Sequence, residues 1–313
     1  MAFTSHRPCS YSSSFVIFVL FFCFIIPCYA QIKGCPFDAI YNFGDGESAP
    51  PLRMLDHLAP AFHLPPPPSH YAKDGHFPFY HGTNFASRGS TIGRTPIFVE
   101  KHTQPQSQTH SLESQEYSFI KFLKSITPSP EQALEMLGRS LFIINEAGLN
   151  DYKNAFQHGK SVSEVYTYVP PVVAGIKVTL MGLIEDGATN ILVPGSLPLG
   201  CLPGYTALFP SNDPTAYDAG KCEKELNSFA VLHNDHLQQA LMVLREEFPH
   251  ARIIYLDYYN AFMALLHNHA KSLVSDGFGL TEEALKSLVD TIISQKGFAY
   301  PEVEFPEVTH CVM

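Results

Sequence analysis

Hydrophobic and polar positions along the chain alternate between two kinds of segment. Four short, nearly continuous apolar runs stand out: Phe37–Phe43 (FDAIYNF), Leu141–Asn145 (LFIIN), Asn190–Pro194 (NILVP) and Ala251–Asp257 (ARIIYLD). Their length and their lack of alternation predict strands buried on both faces. Between the last three lie helical patterns. Pro171–Glu185 repeats Val172, Val173, Ile176, Leu180, Leu183 and Ile184 along one stripe. Glu223–Phe248 does the same with Leu226, Phe229, Leu237, Leu241, Leu244 and Phe248. Strand, helix, strand, helix, strand predicts an α/β fold with a parallel sheet covered on both sides, and such sheets carry their sites at the C-terminal strand ends. A last helix is predicted from Thr281, an N-cap type, with Glu282 and Glu283 in its first turn and Leu280 stapled onto Leu285. Pro65–Pro68 predicts an extended connector, and Thr95–Ser114 reads as a polar loop.

The N-terminal thirty residues follow another pattern. Arg7 is their one charged side chain, Phe15–Ile26 is unbroken apolar sequence, and Pro27 ends it before Cys28-Tyr29-Ala30. The apolar run is short for a membrane span, and Cys28 and Ala30 supply the small residues of a cleavage site. A signal peptide over residues 1–30 and a single domain over 31–313 are therefore expected, with a secreted destination. An uncleaved anchor is the alternative. No later stretch is predicted to reach membrane-spanning length. Export leaves Cys35, Cys201, Cys222 and Cys311 in an oxidising compartment, where four cysteines allow three pairings. No N-x-S/T sequon occurs.

Charge narrows the partners. The chain carries 20 Lys plus Arg against 30 Asp plus Glu, a net −10, with no basic run. A nucleic-acid partner is not expected.

Candidate chemistry lies where strands end. Phe37–Phe43 runs into Gly44-Asp45-Gly46-Glu47-Ser48, the kind of tight turn on which α/β hydrolytic enzymes present a nucleophile. Gly82-Thr83-Asn84-Phe85-Ala86-Ser87-Arg88-Gly89-Ser90-Thr91 comes next. Gly148-Leu149-Asn150-Asp151 follows the second strand, and Gly195–Pro203 follows the third. Asp276-Gly277-Phe278-Gly279-Leu280-Thr281 opens the last helix. This ordered set resembles the plant GDSL esterase/lipase family, a branch of the SGNH hydrolases, from about Phe37 to Ala299. Leu141–Ser161, Val165–Pro170 and Asp257–Phe262 resemble its subgroup of alkaloid-acetyl and other plant-ester esterases. The resemblance implies a three-layer flavodoxin-like domain, a carboxylic-ester hydrolase with no metal or organic cofactor, and a small ester-type or lipid-like ligand.

Carried over by position, the resemblance places the oxyanion donors on Gly89 and Asn150 and the triad Asp on Asp276. It places the nucleophile on Gly46 and the triad His on Gly279, neither of which has a side chain. Family segments are also missing ahead of Arg53–Leu64 and between Ser272 and Asp276. Ester hydrolysis by this route needs an activated hydroxyl, a base and oxyanion donors, and here only the donors and Asp276 survive. The expectation is a pseudoenzyme or a very weak esterase. The alternatives are an esterase using Ser48 as a displaced nucleophile, an isomerase or cyclase using Asp276, Asp45 or a nearby His, a pure binding protein, or a poorly folding product of a damaged gene. His76, His81, His267, His269 and His310 are candidate bases. Arg53 and Arg94 are candidate ligands for an acidic group. Asp151 reads as a turn-forming residue.

Overall fold

The structure, a computed structural model, describes residues 37–45, 54–72, 79–93, 110–268, 273–274, 277–303 and 305. The expected signal peptide lies outside the described residues. So do Gly46, Ser48, Arg53, His76, Arg94, His269, Asp276, His310, Cys35 and Cys311.

Six strands form one sheet: β1 (Ala39–Gly44), β2 (Gly82–Asn84), β3 (Ser140–Asn145), β4 (Asn190–Pro194), β5 (Arg252–Leu256) and β6 (Ala299–Tyr300). Their spatial order is β2-β1-β3-β4-β5-β6. The first five are parallel, with Ile40 of β1 opposite Gly82 on one side and Leu141 on the other. The two-residue β6 pairs antiparallel to β5, which makes the sheet mixed at that edge. The 2-1-3-4-5 order is that of doubly wound, flavodoxin-like sheets. All four apolar runs of the sequence are central strands. β1 to β5 are buried almost throughout, which is why no alternation marked them.

Ten helices surround the sheet among the described residues: α1 (Met54–Ala61), α2 (Leu112–Ile126), α3 (Pro130–Gly138), α4 (Leu149–Gln157), α5 (Val162–Val165), α6 (Val169–Glu185), α7 (Pro203–Thr206), α8 (Lys224–Glu247), α9 (Tyr258–Asn268) and α10 (Glu282–Ser294). α2, α6 and α8 pack side by side, while α1, α9 and α10 form a second group. The right-handed rule for parallel crossovers places α1, between β1 and β2, on the face opposite α2, α6 and α8, because β1 to β2 steps one way along the sheet and the other parallel crossovers step the other way. The aromatic core under α2 is built from Tyr41, Phe43, Phe85, Phe119 and Phe142, with ring centroids 5.3–6.4 Å apart.

The predicted helices appear with their caps. Glu223 caps α8 by accepting from Glu225 N and Leu226 N, and Thr281 caps α10 by accepting from Ala284 N. Two readings change. Ser111 caps α2, so Leu112–Ser114 are helical although the composition reads as loop. The helical stretch Val162–Glu185 is long and apolar enough to cross a membrane, contrary to the reading that no later segment reaches that length. It is a core helix here, with Val169, Val172, Val173, Ile176, Leu180, Leu183 and Ile184 buried. Pro65–Pro68 does run without regular hydrogen bonding, but Pro68 O accepts from Asn84 N (2.9 Å), which lays the connector along the edge strand β2. Cys201 and Cys222 are joined by a disulfide across the segment linking β4 to α8.

Candidate active site

The direction of winding reverses at β1 and β3, so their C-terminal ends open a crevice at the topological switch point. Gly44 ends β1 with φ +100°, and a Cβ there would collide with the Asn145 carbonyl of β3. Only glycine lets the two strands stay this close while the chain turns. Gln115, fully buried on α2, clamps the turn. Its Oε1 accepts from Gly44 N (2.8 Å), and its Nε2 donates to Gly44 O (3.0 Å) and to Ser90 Oγ (2.9 Å).

The turn delivers Asp45 into the crevice. Asp45 Oδ1 accepts from Gly89 N (2.8 Å) and Oδ2 accepts from Asn150 Nδ2 (2.6 Å). Asn150 Nδ2 also donates to Ser90 O (3.1 Å), so both of its amide hydrogens are engaged. Three chain segments from the ends of β1, β2 and β3 thus converge on one carboxylate. Burial holds the Asp45 carboxyl above the ordinary carboxylate range, and the Asn150 bond, Lys153, the Gly89 amide and Arg88 pull against that without cancelling it. Gly89, at φ +75°, turns its N–H toward Asp45. Asp151 holds the neighbouring loop, its Oδ2 accepting from Ile92 N (2.9 Å).

A cavity of about 510 Å3 opens over Asp45, Gly89 and Asn150. Arg88, Glu146, Leu149, Lys153, Asn154 and Gln157 line one part of it, and Leu197, Leu199, Leu202, Tyr205 and Phe278 line the other. Among the described residues that line it there is neither a Ser nor a His. Tyr205 and Phe278 meet edge to face at 5.1 Å, and Lys153 Nζ lies 5.7 Å from the centre of the Phe278 ring. Phe278 brings the last sequence block to the cavity. Its neighbour Gly279 is buried, so where a base would be expected there is backbone alone. Glu146 holds a left-handed φ of +46°, a strained setting for a non-glycine residue, at the rim. Burial raises the Tyr205 hydroxyl far above its ordinary value, with the Glu146 and Asp45 charges adding to it.

Two histidine candidates lie elsewhere. His81 Nδ1 contacts Asp38 O (3.1 Å) at the opposite end of β1, and His267 Nδ1 contacts Met263 O (2.9 Å) within α9. Sequence reasoning missed Gln115, Arg88, Lys153, Asn154, Gln157, Tyr205 and Phe278. The spacing of Asn150, Lys153, Asn154 and Gln157 is a helical-face signal that becomes readable once α4 is known to be a helix.

The profile of the GDSL-like lipase/acylhydrolase family matches residues 42–292, from β1 into α10. This chain belongs to that family. A GDSL esterase/lipase of Arabidopsis thaliana is 35% identical over 255 residues, covering 82% of this chain and 75% of that protein. Acetylajmalan esterase 2 of Rauvolfia serpentina is 33% identical over 267 residues, covering 75% and 73%. Sinapine esterase of Brassica napus is 31% identical over 236 residues, covering 75% of this chain and 60% of the esterase. Against several such relatives the match spans less than two thirds of their length, as with a second Arabidopsis GDSL esterase/lipase at 59%. The crystal structure of TesA overlays with 12% identity and a TM-score of 0.38, too low to argue from.

Proposed function

We propose that this GDSL-family chain is exported, keeps the family's ester-binding cleft and has lost efficient hydrolysis. It would hold a small ester-type or lipid-like ligand and turn it over slowly or not at all. The observation that carries this reading is the chemistry of the cleft. The base position is the buried Gly279, and the two donors expected to receive an oxyanion, Gly89 N–H and Asn150 Nδ2, are already bonded to Asp45. The nucleophile position is Gly46. Without a hydroxyl there, no acyl-enzyme forms at that residue, and without an imidazole no proton is relayed. In subtilisin, loss of the triad costs about 10⁶ in kcat and leaves roughly 10³–10⁴ over water. An oxyanion forming here would also have to displace the Asp45 carboxylate from its donors. The apolar leader ending at Ala30 supports export.

Turnover of p-nitrophenyl acetate and butyrate by the purified mature chain tests the reading. The expected rate stays within about 10⁴ of the uncatalysed reaction. Triad-like turnover would overturn it. Fluorophosphonate labelling abolished by Ser48→Ala would put a displaced serine nucleophile in its place.

A further inference from the structure

We propose that the cleft selects the polar part of its ligand, taking a neutral, polyhydroxylated ester of the glycosyl type rather than an acyl chain. This rests on the ester-binding reading above and narrows it to a substrate class.

Most of the apolar lining residues offer little surface to a ligand, Leu149 and Phe278 being the partly exposed exceptions. Leu197, Leu199, Leu202 and Tyr205 are between 1% and 5% exposed, so they are already packed and cannot sheath a chain of methylenes. The rest of the accessible wall is polar. Asn150, Asn154 and Gln157 stand at i, i+4 and i+7 on α4, with Lys153 beside them, which places all four on one helical face along the cavity. Asn150 is committed to Asp45 and Ser90, but the Asn154 and Gln157 amides make no side-chain hydrogen bond within the described chain, and neither do the Lys153 ammonium or the Arg88 guanidinium. Each amide offers two donors and an acceptor, which suits hydroxyls that both give and take a proton.

Charge singles out no ionic ligand, since among the described lining residues the cations Arg88 and Lys153 stand against Asp45 and Glu146. The cations donate to hydroxyls. The Phe278 ring, beside Lys153, supplies an apolar surface on which the C–H face of a sugar ring can rest. The cavity, at about 510 Å3, has room for a monoacylated hexose and lies within the usual range for small-molecule sites. A site that hydrogen-bonds hydroxyls rejects analogues lacking them, because its own polar groups are then left unpaired.

Calorimetric titration of the full mature chain with 6-O-acetylglucose, glucose pentaacetate and methyl octanoate tests this. The expected result is saturable binding of 6-O-acetylglucose, with the two hydroxyl-free esters at least 10-fold weaker. Asn154→Ala/Gln157→Ala should weaken the sugar ester 10-fold or more without moving Tm, since both side chains are on the surface side of α4. Tighter binding of methyl octanoate, equal binding of the pentaacetate, or an unaffected double variant would each overturn the proposal while leaving the ester-binding reading in place. Rapid hydrolysis of bound 6-O-acetylglucose would overturn the catalytic part of that reading and leave the sugar preference standing.

Discussion

Asp45 and its two donors set what the crevice can do at the level of single residues. On the proposed reading, the groups at Gly89 and Asn150 are the ones that would receive charge developing during ester hydrolysis. Here a resident carboxylate receives their hydrogens, at 2.8 and 2.6 Å. On the same reading, glycines stand where the residues that would generate the charge belong. Nucleophile and base act as a unit, so restoring one without the other recovers little. Gly46→Ser alone should therefore change p-nitrophenyl acetate turnover by less than about 10-fold, since a serine with no base remains a weak nucleophile. A gain of 10³ or more in a simple rate assay would mean that some other group of this chain serves as base. Gly46 and Gly279 were visible in the sequence as the positions where the family resemblance would place a nucleophile and a base. The seat of Asp45 was not. It depends on three loops that are 44 and 105 residues apart in the chain.

Between elements, the site is held by side chains that no motif marks. Gln115 is buried on α2 and ties that helix to the end of β1 and the loop after β2. A Gln in an amphipathic helix reads as a solvated position, and only the approach of α2 to the Gly44 turn gives it buried partners. Gln115→Leu should cost about 2–4 kcal/mol in urea unfolding, because the buried Gly44 amide loses its acceptor and the Gly44 carbonyl keeps only Ser87 N. A loss under 0.5 kcal/mol would mean that the turn finds other partners. The central strands and the α6, α8 and α10 helices were legible from periodicity and capping residues, which are local signals. Helix α2 was half hidden because its first turn, Leu112-Glu113-Ser114, continues a polar stretch. The short edge strands β2 and β6 have two or three residues each and exist only through their pairing with β1 and β5.

For the molecule as a whole, the most consequential titratable group outside the cleft is His233 on α8. Its Nδ1 lies 2.9 Å from Tyr152 Oη on α4, and both residues are buried. Burial, with His236 nearby, depresses the His233 pKa from 6.5 to about 4. Between those values the unfolded chain binds a proton that the folded one refuses. Stability therefore rises with pH across that window and is lost as pH falls from about 6.5 toward 4. The full effect is of order 3 kcal/mol. Unfolding free energies measured between pH 4 and 7 should follow this slope, and His233→Gln should flatten it. An unchanged slope in the variant would assign the acid sensitivity to other groups.

Local order in the amino acids was enough to determine the α/β class, the positions of the buried strands and most large helices, and the family. These depend on residue type and short-range spacing, which the linear chain contains in full. Tertiary structure decided the rest: that Cys201 pairs with Cys222, that Asp45 occupies the donors of Gly89 and Asn150, that Gln115 clamps the turn, and that α4 presents an amide-lined face to the cleft. Each of these depends on distances between segments far apart in the chain, and such distances exist only once the sheet has brought its strand ends together.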